Sequence, residues 1–318
     1  MHDPRNLAQI VFTGLMDRMA ELRSLISRLA AGSSGPKWLD GVMAFATHQV
    51  TEPLGNITEP AFAFVAQGTK RSMLGNHVFD YHAGQYLVVS VDLPLTGNII
   101  QASTAEPFLA LGLPLQADVI AQLLLEARPY SGPRPYSGAG ANAGVGLAVS
   151  DADDDLLDCL IRLLRLQERP DDLRILGPAV KREIHWRLMT GPQGHLVRQI
   201  GLADSRLSLV AHAIRWIRAR YDQVIRIDDL ADDLGLSVSS LNRNFRAVTA
   251  MSPVQYQKQL RLQEARIKLL AAPDDIASVG YGVGYDSPSQ FSREYRRMFG
   301  APPGEDAARL RNLVTIQE

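Results

Sequence analysis

The sequence predicts an α+β protein with a strand-rich N-terminal half and an all-helical C-terminal half that contains two helix-turn-helix units. Three observations predict this division. A helical motif occurs twice near the C-terminus, short strand-like segments follow one another from residue 42 to residue 113, and 318 residues exceed what one hydrophobic core usually serves. Two domains are therefore expected.

The repeated motif is the most informative feature of the chain. Its copies read LGLSVSSLNRNFRAVTAMSP from Leu234 and VGYDSPSQFSREYRRMFGAPP from Val283. Each copy has a turn glycine, a Ser or Asp that can cap a helix, and two large apolar residues four positions apart. The pattern predicts a helix, a turn and a second helix that can enter a DNA major groove. The apolar pairs expected in the core are Leu241 with Phe245 and Phe291 with Tyr295.

The outward positions of both second helices carry polar and basic side chains. Arginine can pair with guanine, Asn or Gln can pair with adenine, and basic residues outside the groove contact phosphate. The predicted base-reading residues are Ser239, Ser240, Asn242, Arg243, Ser289, Gln290, Ser292 and Arg293. The predicted phosphate contacts are Arg246, Lys258, Arg296 and Arg297. A solvated helix face is the alternative for each arginine.

Charge and spacing support the DNA hypothesis. The segment from Ser237 to Gly300 contains nine Lys and Arg residues but only five Asp and Glu residues, although the net charge of the whole chain is −1. The helix predicted at residues 253–270 would be about 27 Å long. It could therefore hold the two second helices about one DNA turn, or 34 Å, apart.

The N-terminal half combines helices with short strands. An amphipathic helix is expected at about residues 6–31, and the strand-like segments after it predict an antiparallel sandwich or a small barrel. A barrel of this size can hold one ligand. The aromatic residues expected around such a pocket, which would serve the core equally well, are Phe45, Phe62, Phe64, Tyr81 and Tyr86.

The segment between the strands and the repeat is predicted to be helical, with a Pro- and Gly-rich loop at residues 128–144 that could act as a lid. The acidic run at residues 151–155 could suggest a metal, but carboxylates also cap helix N-termini. The apolar stripe at residues 156–164 and a helix at residues 178–189 suit either a dimer interface or packing within the chain. Cys159, the single cysteine, is expected to be buried.

Several classes of protein are disfavoured by the sequence. No run of about 18 apolar residues is present, so no membrane span is expected, and the charged N-terminus does not resemble a signal peptide, so a cytoplasmic protein is expected. The residues available to a metal site are scattered, and no cofactor is expected. They are His48, Glu52, His77 and His82.

The repeat resembles the DNA-binding domain of the AraC/XylS family of bacterial transcription regulators. The resemblance covers residues 207–311 and includes IDDLADDLGLSVSSLNRNFR and VGYGVGYDSPSQFSREYRRMFGAPP. FDYHAGQYLVVSVDLPLTG and EPFLALGLPL resemble the cupin-like effector domains of one subgroup. The resemblance implies a cupin-like β-barrel domain at residues 1–195, a linker at 196–206 and the DNA-binding domain at 207–318. Gly280 and Gly282 depart from the family pattern, which favours a helix former there.

These patterns together predict a one-component transcription regulator. Its expected partners are double-stranded DNA, an unidentified small-molecule effector, RNA polymerase and a second copy of the chain in a homodimer. The alternative hypothesis is a cupin-type metal enzyme fused to a DNA-binding module. A DNA-binding architectural protein without an effector is disfavoured, because such a protein needs no N-terminal barrel.

Overall fold

The computed structural model describes residues 4–31, 37–39, 41–127, 145–202, 205–271 and 275–315. The loop predicted at residues 128–144, with its expected role as a lid, lies outside these ranges. No helix within them combines the length and the apolar content needed to cross a membrane.

The strands in the described ranges form two antiparallel sheets in the N-terminal half. The larger sheet has the order β1-β2-β9-β4-β7-β10, and the smaller sheet has the order β3-β8-β5-β6. The strands are β1 Lys37–Leu39, β2 Val42–Thr47, β3 Leu54–Thr58, β4 Ala61–Gln67, β5 Thr69–Leu74, β6 His77–His82, β7 Gln85–Val89, β8 Leu93–Gln101, β9 Phe108–Pro114 and β10 Leu147–Asp151.

The predicted closed barrel is wrong, because the two sheets form an open sandwich. In the described part of the chain, β1 and β10 are the edges of the larger sheet and β3 and β6 are the edges of the smaller one. The physical reason lies in the larger sheet, which buries both of its faces. Phe62 and Phe64 on β4 pack toward helices, while Ala63 and Val65 belong to the core on the opposite side. Because helices cover one face of the larger sheet and the smaller sheet covers the other, both faces are buried without closure into a barrel.

Helices flank the sandwich and form the C-terminal half. Helix α1 packs against α3 and β2 beside the larger sheet. The helices are α1 Pro4–Ala30, α2 Ala117–Glu126, α3 Asp154–Leu166, α4 Pro170–Thr190, α5 Gly194–Ile200, α6 Arg206–Arg218, α7 Ile227–Asp233, α8 Val238–Thr249, α9 Pro253–Ala271, α10 Ile276–Gly282, α11 Pro288–Phe299 and α12 Pro303–Thr315.

Most predicted elements are present, but helix α5 was not predicted and occupies part of the predicted linker at residues 196–206, and β1, β3 and α4 also differ from the prediction. Strands β1 and β3 were not predicted, because they are short and β3 is largely exposed. Helix α4 begins at Pro170 rather than residue 178. Proline is favoured in the first helical turn, and Asp171 and Asp172 complement the helix dipole there, so Pro178 lies inside an established helix.

The acidic run and the apolar stripe of α3 have structural roles. The Asp153 side chain caps α3 by accepting a hydrogen bond from the Leu156 backbone nitrogen at 2.8 Å, which confirms the capping interpretation. Cys159 is buried, as predicted. The apolar stripe of α3 packs against α1, α4 and the larger sheet, so it serves the core within the chain.

The hydrophobic cores connect the two halves of the molecule. One core lies between the larger sheet and helices α1 to α4. A second core is continuous from both sheets into α6, α7, α8 and α9, and includes Leu95, Phe245 and Tyr256. A third, smaller core joins α9 to α10, α11 and α12. The first copy of the repeat therefore shares a core with the N-terminal half, whereas the second copy has a core of its own.

Candidate nucleic-acid interface

The first copy of the repeat forms a helix-turn-helix from α7 and α8. Gly235 occupies the turn with φ of 63°, a left-handed conformation that glycine adopts without steric cost. The Ser237 hydroxyl caps α8 by accepting a hydrogen bond from the Ser240 backbone nitrogen at 3.3 Å. Leu241 and Phe245 are buried, as their spacing predicts, so the opposite face of α8 points outward.

The second copy forms the equivalent unit from α10 and α11. Gly284 takes the turn position with φ of 90°, and Ser287 caps α11, in which Pro288 is the first residue. Phe291 and Tyr295 are buried, as predicted. Both copies therefore expose one face of their second helix, the recognition helix, at corresponding positions.

Glycine at position 280 has a packing reason that the sequence did not reveal. A Cβ atom at Gly280 would lie 3.0 Å from Cδ1 of Phe291, whose ring packs directly against α10. At Gly282 no atom lies within 4 Å of the corresponding position. The departure at Gly280 thus lets α10 and α11 approach closely. We find no packing reason for Gly282.

The predicted base-reading residues lie on the outward faces of α8 and α11, four on each helix. Arg243 and Arg293 are exposed. Asn242 donates a hydrogen bond to the Val238 carbonyl oxygen at 3.0 Å, and Arg293 Nε donates to the Ser289 carbonyl oxygen at 3.3 Å. These contacts hold both side chains along their own helix. The base-reading role itself stays a prediction.

The predicted phosphate contacts separate into two pairs. Arg246 and Arg296 are exposed on the recognition helices. Lys258 on α9 and Arg297 on α11 are exposed as well, but they line a cleft between the two halves of the molecule. Lys258 Nζ lies 3.1 Å from Oε1 of Glu294. Lys258 and Arg297 therefore line the same cleft as residues of the N-terminal half.

That cleft has a volume of about 470 Å³ and touches both halves. One wall is formed by Gly75 and Asn76 of the turn between β5 and β6, together with His77 at the start of β6. The opposite wall consists of Ala250, Met251, Gln255, Lys258, Gln259, Leu262, Glu294, Arg297 and Met298. Its lining combines charged side chains with methionine and leucine, and Glu294, Arg297 and Met298 of this lining belong to α11.

Direct contacts also join the halves beside the cleft. The Tyr256 hydroxyl donates to the Asp92 carbonyl oxygen at 3.1 Å, and the Gly146 nitrogen donates to the Val248 carbonyl oxygen at 2.8 Å near the end of α8. Arg218 forms an ion pair with Asp92. The N-terminal half is thus in direct contact with the end of the first recognition helix.

Sequence reasoning missed the residue that ties the two units together. Arg261 on α9 donates to the carbonyl oxygens of Tyr221 at 2.6 Å, Gln223 at 2.7 Å and Gly284 at 2.6 Å. Burial lowers the pKa of its guanidinium below the ordinary value. Arg261 thus joins carbonyl groups on two separate turns, and Gln257 Nε2 also donates to those of Tyr221 and Gln223, at 3.0 and 2.7 Å.

A buried ion pair in the second unit was missed as well. Asp306 on α12 is fully buried and accepts from Arg266 Nε at 2.8 Å and Nη2 at 3.0 Å. The Tyr295 hydroxyl donates to the same carboxylate at 2.9 Å. One signal could have found Arg266: it occupies an inward position of α9 between Leu262 and Leu269, where an apolar residue would be expected.

The five aromatic residues predicted around an effector pocket do not line one space. Phe62, Phe64 and Tyr86 belong to the core beside helices α1 to α4, and burial raises the pKa of Tyr86 to about 12. Phe45 and Tyr81 belong to the core shared with the C-terminal half. Four of the five are buried in packed cores, and Phe45 is partly buried against one of them.

The four residues considered as metal ligands are also separated. Glu52 forms an ion pair with Arg309 of α12, and His82 Nδ1 lies 3.1 Å from the Ala83 carbonyl oxygen. Across the described ranges, no group of three or more His, Cys, Asp or Glu side chains is placed to hold a metal ion.

Comparison with known proteins assigns the two halves. Residues 38–196 match the family described as AraC-type transcriptional regulator N-terminus, which spans half of the chain, and residues 230–309 match a helix-turn-helix domain family. The chain belongs to the AraC family of transcriptional regulators. The resemblance predicted from the repeat is confirmed.

Relatives of this AraC-family chain include two activators named RhaS. The RhaS of Pectobacterium atrosepticum is 26% identical over 125 residues, which cover 39% of this chain and 44% of the relative. The RhaS of Escherichia fergusonii is 30% identical over 102 residues, covering 32% of this chain and 36% of the relative. The aligned part thus spans less than half of the length of these relatives.

Solved structures of ToxT from Vibrio cholerae share the fold. One apo ToxT structure matches with a TM-score of 0.52 and 11% identity over 84% of this chain and 97% of ToxT. A ToxT structure with an unsaturated fatty acid bound matches with a TM-score of 0.53 and 10% identity over 85% of this chain and 96% of ToxT. At this identity the likeness concerns the fold alone.

Proposed function

We propose that the protein is a sequence-specific regulator of transcription that binds double-stranded DNA and responds to a small molecule. The observation that carries this proposal is the pair of helix-turn-helix units with outward polar and basic faces, in a chain of the AraC family. Membership in a family of regulators disfavours the alternative of a metal enzyme. The proposed domains keep the predicted bounds of 1–195 and 207–318, with a linker at 196–206.

DNA binding would use both recognition helices at once. Helix α9 between the units has 19 residues, one more than the predicted helix at residues 253–270, and at 1.5 Å per residue it is about 28 Å long. That length suits two recognition helices in successive major grooves, which lie about 34 Å apart on one face of DNA. Arg243 and Arg293 would read bases, whereas Arg246 and Arg296 would contact phosphate.

The experiment that tests DNA binding is selection from a random duplex library with the full-length protein. The full chain is used because the first unit shares its core with the sheets. We expect enrichment of two half-sites about 10 base pairs apart, and an affinity that falls linearly with the logarithm of salt concentration. Absence of enrichment, or an affinity that salt does not change, would contradict the proposal.

The effector would bind in the cleft between the halves. Lys258 and Arg297 carry two positive charges against the single carboxylate of Glu294, which pairs with Lys258. Met251, Leu262 and Met298 offer apolar surface, so an anionic amphipathic molecule fits the lining. The ToxT structure with a fatty acid makes a carboxylate of this kind the first probe. A ligand there would contact α11 and the N-terminal half together, and could change the balance between two domain arrangements.

We expect oleate to bind the DNA-free protein and the Lys258→Gln, Arg297→Gln double variant to bind it about 10-fold more weakly or worse, because hydrogen bonds to a charged group are lost. Isothermal titration calorimetry below the micelle concentration measures both affinities. Arg296→Gln is the matched control, since Arg296 lies on the same helix but does not line the cleft. Equal affinities of the double variant and the wild type would place any oleate site elsewhere.

The remaining partners follow from the same proposal. A regulator of this design would act in the cytoplasm, form a homodimer and contact RNA polymerase when bound at a promoter. Because the apolar stripe of α3 is used within the chain, the dimer interface would lie on other surfaces. We infer that the N-terminal sandwich is an open relative of the cupin-like effector domains.

A further inference from the structure

Glu294 stands out among the charged residues of the recognition helices because its side chain is only 13% exposed. Its Oε1 accepts hydrogen bonds from Lys258 Nζ at 3.1 Å and from Gln290 Nε2 at 3.2 Å. Its Oε2 accepts from the Tyr285 hydroxyl at 2.9 Å. Glu294 thus connects α11 to α9 and to the turn of its own unit, and it also touches a residue predicted to read a base.

The carboxylate fixes which way the Gln290 amide faces. Burial raises the pKa of Glu294, but hydrogen bonds from Lys258, Gln290 and Tyr285 outweigh burial and hold the pKa below its ordinary value. An ionised carboxylate can only accept hydrogen bonds. The nitrogen of the Gln290 amide must therefore face Glu294, and the opposite orientation would place two acceptor oxygens against each other.

This orientation leaves free the groups that adenine requires. The Gln290 amide nitrogen carries a second hydrogen, and its carbonyl oxygen points away from Glu294. Glutamine reads adenine by donating to N7 and accepting from the N6 amino group. A side chain already held in one orientation loses less conformational entropy when it binds. The contact with Glu294 therefore favours adenine before DNA arrives.

The first unit has no carboxylate and no amide at the positions equivalent to Glu294 and Gln290, respectively. At the repeat offset of 50 residues, Ser240 corresponds to Gln290 and Asn244 corresponds to Glu294. A serine hydroxyl is too short to be held in this way by a residue one turn further along. In the second unit a carboxylate therefore orients the amide of Gln290, whereas the amide of Asn242 in the first unit donates to the Val238 carbonyl oxygen of its own helix.

We propose that Glu294 is a positioning residue that sets the base preference of the second unit by orienting Gln290 toward adenine. The inference rests on the proposed function, since it assumes that the exposed face of α11 reads DNA. It concerns one position of one half-site. The overall affinity for DNA is expected to depend on the arginines of the recognition helices.

The test is selection of binding sites from a random duplex library by three proteins: the wild type, Glu294→Ala and Tyr285→Phe. We expect Glu294→Ala to lose about 2- to 10-fold of its preference for adenine at one position of one half-site, as the entropy advantage disappears. The other half-site should be unchanged. Tyr285→Phe removes a hydrogen bond to the same carboxylate but keeps the contact with Gln290, so its preference for adenine should persist.

Two outcomes would overturn the inference: an unchanged adenine preference in Glu294→Ala, or an equal loss in Tyr285→Phe, which would assign the effect to packing. Should circular dichroism show that Glu294→Ala does not fold, Glu294→Gln serves instead. Its neutral amide no longer forces the Gln290 nitrogen to face it, so the same loss is expected. A wild type that selects no sequence contradicts the proposed function and the inference with it, whereas selection without this adenine contradicts the inference alone.

Discussion

Replacing Asp306 by Ala is expected to lower the free energy of unfolding by about 3–5 kcal/mol, because the guanidinium of Arg266 would remain buried without its partner. The Arg266 side chain is 7% exposed and the Asp306 side chain is 0% exposed. The Tyr295 hydroxyl, which belongs to the second recognition helix, would lose its acceptor too. Chemical denaturation followed by circular dichroism measures the difference from the wild type.

The matched control is an exposed pair with similar geometry. Arg71 Nε and Nη2 contact the two oxygens of Asp80 at 2.7 and 2.6 Å, with both side chains 42% exposed. Asp80→Ala should therefore cost less than about 1 kcal/mol. The double variant Asp306→Ala, Arg266→Met should recover part of the loss. If the Asp306 and Asp80 variants were destabilised equally, burial would not be the cause.

The contribution of Asp306 should also depend on pH. Burial raises the pKa of this carboxyl, but hydrogen bonds from Arg266 and Arg309 outweigh burial and hold the pKa below the ordinary value of 3.8. A lowered pKa in the folded state means that the stabilisation is present above that ordinary value and is lost as the pH falls through the folded value. The stability difference between the wild type and Asp306→Ala should thus be constant near neutrality and decrease only in acid.

Replacing both Arg243 and Arg293 by Ala is expected to reduce the free energy of binding to the selected site by about 2–6 kcal/mol, because each bidentate contact to guanine contributes about 1–3 kcal/mol. The two residues lie in separate units, so their effects should add. Each single variant should relax sequence choice at one position. Mobility shifts on the selected site and on scrambled DNA of equal length give both quantities.

Arg296→Ala is the control for this pair, since Arg296 lies on α11 near Arg293 but is predicted to contact phosphate. It should weaken binding to both DNAs alike and reduce the salt dependence. Equal losses on selected and scrambled DNA for Arg243→Ala would reassign Arg243 to the backbone. Unchanged affinity in the double variant would contradict the placement of both helices in the grooves.

The sequence predicted the two helix-turn-helix units because their information is local. A turn glycine, a capping Ser and two apolar residues one helical turn apart lie within one short segment, so no distant partner is needed to recognise them. The shared core around Phe245 and the separate core around Tyr295 were not predictable in the same way. Which residues face each other depends on how α9 packs against β3 and β8 of the smaller sheet and against the helices of the repeat.

The sequence led to a wrong prediction where two folds produce the same pattern of residues. Short alternating strands suit a closed barrel and an open sandwich alike, and only the helices on the second face of β4 decided for the sandwich. The sequence does not indicate which face of the sheet the aromatic side chains of Phe62 and Tyr81 occupy. Adjacent residues of a strand point to opposite faces, and the assignment of each face to a core required the packed layers.

By itself, the sequence determined the family, the repeated unit and the polar faces of its recognition helices, because each is written in contiguous residues with a fixed period. Tertiary structure alone decided the cleft that holds Lys258 and Arg297, the three carbonyl oxygens bound by Arg261, and the contact of Glu294 with Gln290 and Tyr285. These groups meet only after helices from distant parts of the chain have packed. Their distances and burial, which set their hydrogen bonds and pKa values, do not exist before folding.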